Sequence, residues 1–103
     1  MQVRFLEPAV SEFDDAVRYY EEQMAGLGAI FRKEFVECLQ RVLQFPEAYQ
    51  RVGQHSRRAL LSRFPYGLIY QARPKQDLLL IVAVAHLHRR PDYWVHRTPP
   101  ADN

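Results

Sequence analysis

Apolar residues recur at three- and four-residue steps in two stretches of the first half of the chain, and this is the period of an amphipathic α-helix. The first stretch follows a short extended run at residues 2–6 and Pro8, which suits the first turn of a helix. The second lies between a glycine-containing break at 26–28 and Pro46, which disfavours helical geometry at the residue before it. The apolar positions are Ala9, Phe13, Ala16, Val17, Tyr20 and Met24 in the first stretch, and Ile30, Phe31, Phe35, Cys38, Leu39 and Val42 in the second. The pattern predicts an antiparallel helical hairpin with a connection of about three residues.

The second half of the chain carries shorter runs that are typical of strands. Residues 57–64 and 68–72 are predicted as two strands with a bend at 65–67, and residues 74–77 form a turn. Residues 78–87, rich in Leu, Ile and Val, are predicted as the central strand, covered on at least one face. The polar stretch 47–56 is predicted as a loop. The order is therefore β-α-α-β-β-β, an α+β fold in which an antiparallel helical hairpin packs on a small, mainly antiparallel sheet.

The length of 103 residues fits one domain, which we place at 1–97, followed by a frayed tail at 98–103 that contains two prolines. The longest uninterrupted apolar run, residues 78–85, has eight residues, far fewer than the ~20 that span a bilayer. The first residues lack the apolar core of a signal peptide. We therefore expect a cytoplasmic protein without membrane contact.

Charge is unevenly divided along the chain. Residues 1–50 hold five Lys/Arg against nine Asp/Glu, whereas residues 51–103 hold nine Lys/Arg against three Asp and all four histidines. The basic and aromatic residues of the second half are Arg51, His55, Arg57, Arg58, Arg63, His86, His88, Arg89, Arg90, Tyr93, Trp94, His96 and Arg97. Arginine side chains match phosphates, and a basic surface also attracts acidic proteins. This strip therefore predicts a nucleic-acid surface or a docking surface, with a plain solvated edge as the alternative.

Few residues indicate metal or cofactor chemistry. Carboxylates are too sparse in the second half for a Mg²⁺ site, and the pair His86 and His88 needs a third ligand to hold zinc. The sequence lacks a phosphate-binding glycine loop and a serine nucleophile elbow. Cys38 lies on the apolar face of a helix, which predicts an inert core thiol. We therefore expect no cofactor and no metal. Trp94 has a second interpretation, as a lid folded back on the sheet.

Several segments resemble the RelE/ParE toxin superfamily over residues 2–97. In the first half these are AVRYY at 16–20, GLG at 26–28 and FP at 45–46. In the second half they are RALLSRFPYGLIY at 58–70, IVAVAHLHRR at 81–90 and DYW at 92–94. The resemblance implies a toxin of a type II toxin–antitoxin module with the fold predicted above. It also implies a small acidic antitoxin from the same operon, seated along the groove of the helical hairpin and along the sheet edge. Leu27, Phe31 and Phe35 are candidates for this groove, with core packing as the commoner role for each. A homodimer or a heterotetramer with the antitoxin is the expected assembly.

The superfamily has two branches, and position 67 favours one of them. RelE-like members cleave mRNA on the ribosome without a metal, and commonly carry an arginine just before the Leu-x-Tyr of this strand, where this chain has Gly67. The resemblance therefore favours the ParE-like branch, which inhibits growth by binding a target such as DNA gyrase. The target-binding residues are then Arg57, Arg58, Arg63, His88, Arg89, Arg90, Tyr93 and Trp94.

Two alternatives remain open on the same residues. The first is a RelE-like, ribosome-dependent mRNA endoribonuclease. It would use Arg58 or Arg63 as phosphate clamp and His86, His88 or Tyr93 as the acid or base. The second alternative is a non-toxic homologue that persists only as a binding module.

Overall fold

Two helices pack on one face of a five-stranded sheet in the computed structural model, which describes residues 1–98. In chain order the elements are β1 (Gln2–Phe5), α1 (Glu7–Gln23), α2 (Leu27–Gln44), β2 (Gln50–Val52), β3 (Ser56–Leu60), β4 (Tyr66–Arg73) and β5 (Leu78–His86). Two short 3₁₀ turns complete the structure, one between β4 and β5 at Pro74–Gln76 and one after β5 at Val95–Arg97. The predicted α+β fold, with a helical hairpin on a mainly antiparallel sheet, is confirmed. Of the predicted tail, only Thr98 lies within the described residues.

The strands are arranged in the order β1-β5-β4-β3-β2. Only β1 and β5 pair in parallel, with Gln2 opposite Leu78, and the other neighbouring strands pair antiparallel. The segment predicted as a loop at 47–56 contains β2, so the observed order has one more strand than predicted. This strand is polar and lies at the sheet edge, where it pairs with β3 and buries little side-chain surface. β4 also begins at Tyr66, inside the predicted bend.

The sheet separates two apolar layers. The helices cover one face, where Phe31, Phe35, Leu68, Tyr70 and Ile81 are all nearly inaccessible to solvent. The opposite face carries Ile69, Leu80, Val82 and Ala85 with Trp94. β5 contributes to both layers, so eight of its nine residues are buried. This explains its continuous apolar sequence, which is usual for a strand covered on both faces.

The two helices are in close contact at Gly28. A Cβ atom on this residue would lie 2.7 Å from the carbonyl oxygen of Val17 in α1. The carboxylate of Glu21 accepts hydrogen bonds from the backbone N–H groups of Gly26 and Gly28, at 2.9 and 3.1 Å. A side chain of α1 therefore caps the amino end of α2.

Replacing Gly28 with alanine is expected to lower the free energy of unfolding by about 1–3 kcal/mol, the usual cost of overpacking a close contact. The added methyl group meets backbone rather than a movable side chain, so the helices must separate. Urea denaturation measures the effect. Ala29→Ser, at the exposed neighbouring position, is the matched control and should change stability by less than about 0.5 kcal/mol. Equal effects of the two variants would contradict a steric role for Gly28.

Candidate functional site

After β5 the chain turns back across the sheet face that the helices leave uncovered. We call residues 87–98 the C-terminal segment. Its anchor is Trp94, which is 5% exposed and packs with Ile69, Leu80 and Val82. The indole also lies against the β2–β3 hairpin, where a Cβ atom at Gly53 would be 3.4 Å from its Cη2 atom. Trp94 therefore lies folded back on the sheet, in agreement with the lid interpretation. Its predicted contact with a target stays a prediction.

Glu12 of α1 holds the C-terminal segment against the rest of the domain. Its carboxylate accepts hydrogen bonds from the backbone N–H of Val84 at 3.0 Å and from the hydroxyl of Tyr93 at 2.7 Å. The two terminal nitrogens of Arg97 donate to its two oxygens at 2.9 and 2.8 Å, in a bidentate pair. Burial alone would raise the pKa of Glu12, but the hydrogen bonds from Arg97, Tyr93 and Val84 outweigh it and hold this pKa below its usual value.

The ring of Tyr93 also contacts two arginines, Arg89 and Arg97. The guanidinium of Arg89 lies 3.7 Å from the centre of the Tyr93 ring, and that of Arg97 lies 5.0 Å from it. Burial and the hydrogen bond to Glu12 raise the pKa of Tyr93 far above its usual range. Its hydroxyl therefore stays protonated at neutral pH and donates to Glu12.

His86 and His88 lie side by side at the end of β5. Their ring centres are 4.9 Å apart, and the backbone N–H of His88 donates to Nδ1 of His86 at 3.0 Å. Burial, with His88 as a second cause, lowers the pKa of His86, so this imidazole is neutral at pH 7. Within residues 1–98 no three side chains of His, Cys, Asp or Glu come together in a way that could hold a metal ion.

Arg58 occupies the space beside Gly67. A Cβ atom at Gly67 would lie 3.0 Å from Cγ and Cδ of Arg58, so the absence of a side chain at 67 lets Arg58 lie along β4. The Nη2 atom of Arg58 donates to Gln50 at 3.2 Å. Its Nε atom is buried and has no hydrogen-bond partner in the described part of the chain. An arginine therefore lies next to the position where the ribonuclease branch carries one, but comes from a different strand.

The predicted site residues separate into three places. Most of them surround one small cavity of about 60 Å³ at the end of β5, and these are Arg58, His86, Arg89, Arg90, Tyr93 and Trp94. His88 adjoins this group through His86. Arg63 is instead held by Glu34 of α2, with its Nε 3.0 Å from the carboxylate. Arg57 donates to the backbone carbonyl of Tyr49 at 2.8 Å and lines a different cleft.

Exposure distinguishes the members of the first group. The side chain of Arg90 is 75% exposed and pairs only with Asp92, at 3.2 Å, among the described residues. His88 is exposed, as are two apolar neighbours, Leu60 and Leu87. We call Arg58, Leu60, Leu87, His88 and Arg90 the strand-end surface. Sequence reasoning missed Glu12 and Glu34, the two acidic residues that hold the surrounding loops in place.

A helix long and apolar enough to cross a membrane does not occur among residues 1–98.

Comparison with known proteins places these observations in a family. The sequence model of the ParE toxin of the type II toxin–antitoxin system parDE matches residues 3–91. A solved structure described as the chromosomal ParDE TA system from P. aeruginosa is similar to this chain with a TM-score of 0.70 and 15% sequence identity. The match covers 85% of this chain and 97% of that one. At this identity the likeness concerns the fold. The search of curated proteins found no match.

Proposed function

Since the chain belongs to the ParE toxin family of type II toxin–antitoxin systems, we propose that it inhibits growth in the cytoplasm by binding DNA gyrase through the strand-end surface. The observation that supports this most strongly is the packing of the C-terminal segment on the sheet. Trp94 packs on the face that the helices leave uncovered, and the exposed groups around it include the apolar Leu60 and Leu87 and the basic His88 and Arg90. Apolar side chains bordered by arginine are typical of protein interfaces.

Three contacts favour binding over RNA cleavage. Tyr93, a candidate acid or base, already donates to Glu12 and is held protonated. Arg63, a candidate phosphate clamp, is paired with Glu34 in a separate part of the domain. Gly67 leaves a gap that the stem of Arg58 fills, and this arginine already donates to Gln50. A general base must come within hydrogen-bond reach of its substrate proton, directly or through one water, and these candidates are instead committed to contacts within the domain, so this arrangement suits a protein-binding surface better than a ribonuclease site.

The proposal predicts that charge reversal at Arg90 weakens inhibition. In a supercoiling assay with purified gyrase, Arg90→Glu should raise the half-inhibitory concentration by at least about tenfold, as loss of an interface hot spot does. Arg18→Glu is the matched control, because Arg18 is another exposed arginine in a surface ion pair, 66% exposed and 3.1 Å from Asp15. Its half-inhibitory concentration should not change.

Three results would contradict this proposal. Equal losses in Arg90→Glu and Arg18→Glu would show that only overall charge matters. Codon-phased mRNA cuts after induction, with plasmid supercoiling intact, would favour the ribonuclease alternative. Normal growth after induction of a folded protein would favour the non-toxic binding module.

We further propose that an acidic antitoxin neutralises the chain by covering the helical hairpin. Phe31 and Phe35, predicted to line the antitoxin groove, are 0% and 2% exposed and belong to the core, and Leu27 is half-buried. The exposed large apolar side chains of the hairpin are instead Val10, Tyr19, Met24, Ile30 and Val36. These residues offer the contact surface for an amphipathic partner helix.

A further inference from the structure

A second basic site lies at the opposite end of β4 from the strand-end surface. β3 pairs with β4 only as far as Tyr70, and the chain beyond it reaches Arg73 with β5 as its partner. Beside this end lies a cleft of about 330 Å³, lined by three arginines, Arg51, Arg57 and Arg73, together with His55. We call it the edge cleft. Of these four residues, the ParE-like interpretation assigns a target-binding role only to Arg57.

The three arginines keep most of their hydrogen-bonding capacity. Within residues 1–98, each donates one side-chain hydrogen bond: Arg51 to Gln54 at 3.4 Å, Arg57 to Tyr49 at 2.8 Å and Arg73 to Gln71 at 2.7 Å. A guanidinium has five N–H donors, so several on each side chain are available to a ligand. The Nε atom of Arg73 is buried and has no partner among the same residues. Such an unpaired donor is costly unless a ligand or water satisfies it.

Gln71 holds Arg73 in position. This glutamine is 5% exposed, and its amide nitrogen donates to the hydroxyls of Ser56 at 3.3 Å and Thr98 at 2.9 Å. These two bonds fix the amide so that its carbonyl oxygen faces Arg73. The guanidinium is therefore oriented before any ligand arrives, which lowers the entropic cost of binding.

Charge and size then indicate the ligand. Among residues 1–98, Glu47 is the one acidic residue lining the cleft, so its Arg and Glu side chains sum to a charge of +2. The amino group of Met1 also lies at the cleft and pairs with Asp77 at 3.5 Å. A phosphomonoester carries about −1.5 to −2 at pH 7 and offers three acceptor oxygens. A carboxylate carries a single charge and would leave the cleft positive. The cleft volume lies at the small end of ligand pockets, large enough for a phosphate with a compact substituent. We propose that the edge cleft binds a phosphomonoester.

Titration of the ¹⁵N-labelled full chain with inorganic phosphate tests this proposal, with sodium chloride and sodium acetate at matched ionic strength as comparisons. We expect saturable shifts of the backbone amides of Ser56, Arg57 and Arg73 with phosphate alone. A parallel titration with adenosine 5′-monophosphate distinguishes the source of the phosphate. Tighter binding than inorganic phosphate supports a phosphomonoester, and weaker binding would contradict it in favour of free phosphate. Shifts that never saturate, or that chloride or acetate reproduces, would overturn the proposal.

Variants locate the binding site. Arg73→Gln should raise the dissociation constant for phosphate by about tenfold or more, the usual effect of losing a charge-assisted hydrogen bond. Arg51→Gln, at an exposed position, provides the same test without risk to the fold. Lys75→Gln is the matched control, because it removes a positive charge two residues from Arg73 but does not line the cleft. If Lys75→Gln weakens binding as much as the arginine variants, the proposal is wrong. This proposal does not depend on gyrase, so the failure of phosphate binding and the failure of gyrase inhibition can be told apart.

Discussion

Replacing Glu12 with glutamine is expected to lower the free energy of unfolding by about 3 kcal/mol at pH 7, the lower end of the cost of breaking a buried ion pair. The side chains of Glu12 and Arg97 are only 15% and 17% exposed, so solvent screens their interaction little. The variant leaves the Arg97 guanidinium without its carboxylate and weakens the bond to the Tyr93 hydroxyl. Urea denaturation gives the size of the effect. Hydrogen exchange of residues 87–97 should show that the C-terminal segment opens first.

The effect of Glu12 should depend on pH in a defined direction. Its pKa in the fold lies below its ordinary value of 4.5, so the ionised carboxylate stabilises the fold at neutral pH. This contribution disappears as the pH falls from about 4.5 through the lower folded pKa. The stability difference between wild type and Glu12→Gln should therefore shrink over that range. A difference that stays constant with pH would mean that shape, not charge, explains the effect. Asp15→Asn, in an exposed pair with Arg18, should cost less than about 1 kcal/mol.

Replacing Glu34 with alanine is the second change with a large expected effect, a loss of about 2 kcal/mol, because two backbone N–H groups lose a charged acceptor and hydrogen bonds to charged groups contribute ~1.5–3 kcal/mol. Glu34 is 5% exposed. Its carboxylate accepts hydrogen bonds from the backbone N–H groups of Ser62 and Arg63, the second at 2.9 Å. These bonds anchor the connection between β3 and β4 to α2, so the variant should loosen that connection as well as lower the denaturation midpoint.

A matched variant separates the backbone bonds from the ion pair. Arg63→Ala removes only the side-chain partner of Glu34, and the Arg63 side chain is 67% exposed. A surface ion pair contributes little, so this variant should cost less than about 1 kcal/mol. If Arg63→Ala destabilises the domain as much as Glu34→Ala, the ion pair rather than the backbone anchoring would be the stabilising contact.

The sequence allowed the main elements to be predicted where one physical signal dominated. The helical period of the apolar residues, together with Pro8 and Pro46, predicted the bounds of α1 and α2 nearly to the residue. The apolar run at 78–87 predicted β5. β2 was missed because Gln50–Val52 has no apolar alternation, and its extended form depends on pairing with β3. Met24 was predicted on the buried face of α1 but is 59% exposed, because the helix ends at Gln23. Propensity alone does not fix such a boundary.

The candidate site was predictable in its composition but not in its connections. The basic residues near the end of β5 were identified from charge, and most of them do meet there. Glu12 lies 85 residues from Arg97 in the chain, and no local pattern joins two such positions. One weak signal existed, because Glu12 directly precedes Phe13 at the border of the apolar stripe of α1. An acidic residue at the border of an apolar helix stripe is therefore a candidate partner for an arginine-rich segment elsewhere in the chain.

The parallel pairing of β1 with β5 has a consequence for the order in which this protein can fold. Gln2 lies opposite Leu78 and Phe5 opposite Ile81, so β1 has no partner until residues 78–81 have been made. The helical hairpin can form early from local contacts, while the sheet must wait for β5, since contacts distant in sequence form late. A chain that lacks residues 78–86 has no strand to join β1 to β4, so neither the complete sheet nor the strand-end surface can form.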